Sequence, residues 1–211
     1  MKNILCFGDS NTWGYNPELR GERYPWGIRW TSKLQEKLSS SEVHIIEQGL
    51  CGRTTVFEDI SRPDRNGAAT LETLFDIEKN IDSVILMLGT NDCKTYYGNS
   101  EKDIANGIDE CLNLILKHVA PEQVLLVSPI QLGDDVWKDE FDPEFCATSV
   151  GVSKKLKDEY QKIAEEKSIH FLAASDYAKP SDADQEHMDA NGHNNLAEAI
   201  YNCVNANWRC A

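Results

Sequence analysis

The sequence predicts an α/β domain in layers: a five-stranded parallel sheet with helices on both faces. Three observations lead there. Five apolar runs of strand length recur along the chain, and four of them are near-continuous rather than alternating, as befits parallel strands covered on both sides. Segments with helical spacing of apolar residues lie between them, so strand and helix alternate and the crossovers are right-handed. The 211 residues contain no repeat, linker or low-complexity tract, so the whole of 1–211 is expected to be one domain with one core.

The elements follow in order. Ile4–Phe7 reads as the first strand, and the apolar run is too short for a signal peptide. A helix over Trp26–Leu38 follows from Ile28, Trp30, Leu34 and Leu38, and the alternating Val43–Glu47 is the second strand. Val84–Leu88 is the third strand. A helix over Glu101–His118 carries Ile104, Ile108, Leu112 and Ile115 on one face, with Ser100 and Asp103 placed as a capping box. Val124–Ser128 is the fourth strand and Ile169–Leu172 the fifth. Between them Gly151–Lys167 reads as an amphipathic helix with Val152, Leu156, Tyr160 and Ile163 on its buried side, and Gly192–Trp208 is the last helix. Three longer loops remain, Gly14–Pro25, Glu58–Gly67 and Gln131–Thr148, and loops of that length in a domain of this size are commonly binding loops.

Composition narrows the function classes. With 21 basic and 35 acidic residues the formal charge is −14, a field that repels nucleic acid and anionic membrane surfaces. No apolar run approaches the length of a transmembrane helix. Seven cysteines, an odd number without a C-x-x-C pair, fit reduced thiols in a cytoplasm rather than a disulfide framework or a zinc site.

Four polar clusters carry the chemistry: Gly8-Asp9-Ser10-Asn11, Gln48–Thr55, Gly89-Thr90-Asn91-Asp92 and Asp184-Gln185-Glu186-His187. The first three follow strand ends, and in such a sheet ligands bind beyond the carboxyl ends of the strands. Ser10 stands in a strand-to-helix turn where its hydroxyl reaches the sheet edge, although Asp and Ser also serve as caps there. A serine nucleophile needs a base, and the base needs orienting. Of the five histidines, His44, His118 and His170 have structural or solvated settings, whereas His187 follows Asp184 by three residues. That spacing lets the carboxylate accept from Nδ1 while Nε2 faces away; a helix-entry Asp beside a surface His is the rival reading. A metal cluster of Asp184, His187, Asp189 and His193 is a further alternative, with all of its ligands drawn from one short segment. Donors for an oxyanion are available at the Gly52 backbone, the Asn91 side-chain amide and the Ser10 backbone.

These four clusters resemble the four blocks of the SGNH hydrolases, also called GDSL esterases and lipases. By that resemblance Ser10 is the nucleophile, Asp184 and His187 are the acid and base, and Ser10, Gly52 and Asn91 form the oxyanion hole. Asn11 departs from the pattern, standing where the family has Leu. The stretches Cys6–Gly14, Arg29–Thr31, Glu47–Thr55, Asn66–Gly67 and Met87–Lys94 are similar to the bacterial arylesterase and acyltransferase branch, and the likeness is weakest over 131–150. The resemblance implies a flavodoxin-like sheet, hydrolysis of small-acyl carboxylic esters through an acyl-enzyme, and no cofactor. It also implies a small-molecule ester as partner, transfer of acyl groups to alcohols in some members, and assembly into homo-oligomers. Asn11, Trp13, Lys94 and Tyr96 are expected to form the substrate pocket, with Trp13, Tyr96 and the aromatic-bearing loop Val136–Phe145 making an apolar mouth; Trp137 is placed either there or in loop packing. A carbohydrate O-deacetylase on the same fold is the nearest alternative, and a non-catalytic binding module the other.

Overall fold

The computed structural model describes residues 2–38, 42–78 and 80–208. Its centre is a sheet of β1 (Lys2–Gly8), β2 (Val43–Gly49), β3 (Ser83–Met87), β4 (Val124–Ser128) and β5 (His170–Ala173). All neighbours pair in parallel, in the order β2-β1-β3-β4-β5. That is the flavodoxin-like order, and each expected strand is present within two residues of its expected bounds. The apolar runs are near-continuous because alternate residues enter different cores. Leu5, Phe7, Leu86 and Leu126 pack on one face, and Cys6, Ile85, Leu125 and Val127 on the other.

Six α-helices among the described residues complete the layers: α1 (Ser10–Trp13), α2 (Trp30–Lys37), α3 (Gly67–Ile77), α4 (Glu101–Ile115), α5 (Ala147–Lys167) and α6 (Ala190–Asn207). α3, α4 and α5 cover the first face; α2 and α6 cover the second. The capping box of α4 forms, with the Asp103 N–H donating to Ser100 Oγ at 3.3 Å and the Ser100 N–H to Asp103 Oδ2 at 2.9 Å. Among the described residues no helix is long and apolar enough to cross a membrane.

The structure differs from expectation at several boundaries. α2 starts at Trp30 rather than Trp26, because Gly27 holds the left-handed conformation at φ 87° and cannot be helical. α4 ends at Ile115, three residues early, and His118 beyond it stacks on Phe75 of α3 at 4.5 Å. α5 begins four residues early at Ala147, with Cys146 as its cap. The sequence reading missed α3: Asn66 caps it by accepting from the Ala69 N–H at 3.1 Å, and Leu71, Leu74 and Phe75 form its buried stripe.

Topology positions the site. β1 is the strand from which the order reverses, so the turns leaving β1, β2 and β3 open onto one crevice at their carboxyl ends. The connection from β5 to α6 returns to that crevice, held by an antiparallel bridge between Pro180 and Met188.

Candidate active site

Ser10 is the first residue of α1. Asp9 caps the helix by accepting from the Asn11 N–H at 2.9 Å, and Gly14 ends it at φ 90° after a single turn. Close packing holds this turn at the sheet: a Cβ on Gly49, at the end of β2, would lie 2.1 Å from the Trp13 backbone nitrogen. Only a residue without a side chain lets α1 rest there.

The Ser10 hydroxyl oxygen lies 2.8 Å from His187 Nε2, and His187 Nδ1 lies 2.6 Å from Asp184 Oδ2. A carboxylate only accepts, so the Nδ1 proton points to Asp184 and Nε2 is left as the acceptor facing the serine. Asp184 is itself fixed, its Oδ1 accepting from the Glu186 N–H at 3.0 Å and the His187 N–H at 2.9 Å. Burial works to raise the Asp184 carboxyl, but the His187 imidazole, and after it these backbone donors, outweigh it and hold the group below its ordinary value. Burial also pulls His187 down, and here Glu186, Asp184 and Asp9 outweigh it, leaving the imidazole above its ordinary value. Tyr15 stacks on the His187 ring with centroids 4.2 Å apart, which restricts its rotation.

Ser10, Gly52 and Asn91 line one cavity of about 190 Å³. Gly52 adopts φ 84°, and a Cβ there would meet the Arg62 guanidinium at 3.1 Å. Asn91 donates one amide hydrogen to the Arg53 carbonyl at 3.1 Å, which fixes the side chain and leaves its second hydrogen free to serve a ligand. The two donor-bearing turns are tied together by Asp92, which accepts from the Thr55 N–H at 2.9 Å; burial pushes this carboxyl up to about 6. Arg53 braces the same floor. Its Nη1 donates to the Gly8 and Gln48 carbonyls, and its guanidinium lies 4.1 Å from the Phe7 ring centroid. A larger depression of about 620 Å³ lies among Ser175–Ala183 and the start of α6, but Ser10 and His187 both open onto the smaller one.

The structure corrects the expected pocket. Of its four residues only Lys94 lines the cavity, where it pairs with Glu144. Asn11 is buried behind Ser10, its Oδ1 accepting from the Met188 N–H at 2.9 Å. Trp13 is held under the Arg23 guanidinium, 5.5 Å from its centroid, and Tyr96 packs on Tyr97, their rings 4.1 Å apart, reaching the cavity only through its contact with Arg62. Trp137 donates to the Asp134 carbonyl within its own loop. The mouth is therefore charged rather than apolar. The 131–146 loop contributes Asp142 and Glu144 to the cavity in place of its aromatic residues. Sequence reasoning did not name Tyr15, Arg62, Glu144 or Glu186, although each carried a signal: the first three lie one in each of the three loops read as binding loops, and Glu186 lies inside the Asp184–His187 block.

The residues of the alternative metal cluster are engaged separately. Asp189 Oδ1 accepts from the Gly192 N–H at 2.7 Å as the cap of α6, and His193 Nδ1 accepts from the Trp30 N–H at 3.3 Å. Burial pulls His193 down to about 3, so it is a neutral core histidine.

A model of the GDSL-like lipase/acylhydrolase family matches residues 6–199. Among solved structures, the chain is similar to Est24, a carbohydrate acetylesterase from Sinorhizobium meliloti, at 32% identity and a TM-score of 0.86, covering 98% of this chain and 99% of that one. The native aryl esterase of M. smegmatis matches at 29% identity and a TM-score of 0.87, covering 98% and 100%. A lipase/acylhydrolase from Enterococcus faecalis, at 20% identity and a TM-score of 0.70 over 98% and 96%, shares the fold. No curated protein matches the chain.

Proposed function

The chain belongs to the GDSL-like lipase/acylhydrolase family and is a carboxylic ester hydrolase; from that premise we propose that Ser10 is its nucleophile, His187 its general base and acid, and Asp184 the group that orients the base. One observation carries this reading: the unbroken contact chain Ser10 Oγ–His187 Nε2–His187 Nδ1–Asp184 Oδ2, at 2.8 and 2.6 Å, on the wall of a cavity.

His187 takes the Ser10 proton as Oγ attacks the ester carbonyl, and the tetrahedral oxyanion is held by the Ser10 and Gly52 backbone N–H groups and the Asn91 amide. The intermediate collapses, the C–O bond to the alcohol breaks, and His187 returns the proton to the leaving oxygen. Water, deprotonated by the same imidazole, then attacks the acyl-enzyme, releasing the carboxylic acid and Ser10. The small cavity supports acetyl-sized acyl groups of the kind the neighbours' names suggest. Its charged walls favour water as the acceptor, so hydrolysis is the principal outcome, and transfer to alcohols is a minor branch of the same acyl-enzyme. A cytoplasmic setting is supported by the six free cysteines among the described residues; the seventh, Cys210, lies outside them.

The test is covalent labelling. An organophosphonate should leave one adduct, on the peptide holding Ser10, and abolish hydrolysis of p-nitrophenyl acetate. An adduct on a cysteine instead would overturn the serine reading.

A further inference from the structure

Glu186 lies inside the Asp184–His187 turn, yet its side chain makes no hydrogen bond to Ser10, His187 or Asp184. That side chain is only 9% exposed, lines the cavity that holds Ser10, and makes no hydrogen bond among the described residues. A buried carboxylate without donors is costly, so its partner is to be sought in what enters the cavity. Burial pushes its carboxyl above the ordinary value, with His187 and Lys94 opposing.

Its position relative to the reaction is specific. To be protonated, the leaving oxygen must come within about 2.6–3.2 Å of His187 Nε2. Glu186 Oε1 is 3.8 Å from that same nitrogen. A hydroxyl on the neighbouring carbon of the alcohol sits a hydrogen-bond length from the leaving oxygen, which brings it within reach of Glu186. We propose that Glu186 is a specificity-determining residue that accepts a hydrogen bond from a hydroxyl vicinal to the ester oxygen, making partial esters of diols and polyols the substrate class.

This rests on the assignment of Ser10 and His187 above. Aryl or simple alkyl leaving groups would dehydrate Glu186 and give it no donor. A hydroxyl donates to Glu186 without disturbing the Arg62–Asp59 and Lys94–Glu144 pairs already present, whereas an ammonium group would compete with Arg62 and Lys94 for the carboxylates of the wall. A neutral hydroxyl adds no further charge to that wall.

The experiment compares kcat/KM for 2-hydroxyethyl acetate, ethyl acetate and acetylcholine, each divided by its rate of alkaline hydrolysis, in the wild type, Glu186→Gln, Glu186→Leu and Ser10→Ala. The wild type should favour the hydroxy ester over ethyl acetate by roughly tenfold to a hundredfold, the scale of a hydrogen bond to a charged group. Glu186→Gln should keep part of that preference and Glu186→Leu none. A wild-type ratio near one overturns the inference however the variants fold, as does an undiminished ratio in Glu186→Leu. Acetylcholine outrunning the hydroxy ester would make the site a cation selector and overturn it too. Hydrolysis surviving in Ser10→Ala would overturn the serine reading itself, and this inference with it.

Discussion

Asn11 Oδ1 accepts the Met188 backbone N–H at 2.9 Å, so the residue after the nucleophile is tied to the residue after the histidine across 177 positions of chain. Both ends are buried. This bond joins α1 to the β5–α6 connection one residue along from the 2.8 Å Ser10–His187 contact on both sides.

Asn11→Leu should therefore act at a distance of one residue from the chemistry. It strands the Met188 N–H, at a cost to stability of about 1–3 kcal/mol. It also loosens the serine–imidazole contact, so kcat should fall while KM changes little. Urea denaturation and steady-state kinetics check the two parts; a KM-only effect would return Asn11 to the pocket floor.

Losses at the site should be graded. Ser10→Ala and His187→Ala should remove nearly all turnover, and Asp184→Asn should cost about 10⁴ in kcat by holding the wrong tautomer. Asn91→Ala should cost about 10²–10³ in kcat, the usual loss for one oxyanion donor. Were its effect confined to KM, Asn91 would be a ground-state contact.

The pH profile follows from the imidazole. The base works only when neutral, so kcat/KM rises with pH through the His187 value, which stands above the ordinary histidine value of about 6.5. Glu186 gives the strongest upward push against burial, so Glu186→Gln should move the acid limb to lower pH. A limb that stays in place or moves upward would show that Glu186 does not act on His187.

Thiol reactivity should separate the cysteines. Cys146 is lowered to about 7, chiefly by its contact with the Ser149 hydroxyl, and should alkylate first at neutral pH. Cys51 lines the cavity but is pushed up to about 11 by burial, so it should react only in alkali, with inhibition that substrate prevents. Cys93 is buried, its thiol donating to the Gly89 carbonyl at 3.4 Å, and should stay unlabelled. Peptide mapping after timed iodoacetamide treatment gives the order; early labelling of Cys93 would contradict its burial.

Much of the site was legible because its chemistry is written in short blocks. Asp184 and His187 are three residues apart, and Ser10, Gly52 and Asn91 each follow a strand whose apolar run is plain, so the rule for strand ends places them on one rim. α3 is equally legible, with Asn66 as its cap and Leu71, Leu74 and Phe75 as its buried stripe. The pocket walls were a different matter. Trp13 and Tyr96 suggested an apolar mouth by residue type alone, yet side-chain direction decides lining, and theirs is taken up by Arg23 and Tyr97.

What the sequence by itself determined is the layered parallel fold and the choice of Ser10, Asp184 and His187 as one cluster, since both rest on local signals: the period of apolar residues and the spacing of polar ones within a turn. Only the tertiary structure decided what surrounds the triad. Arg62, Lys94, Glu144 and Glu186 come from four separate segments, and their convergence on one cavity depends on how the loops after β2, β3, β4 and β5 pack against one another. Nothing in local spacing encodes that packing, because long-range contacts between loops are set by the shape of the whole core beneath them.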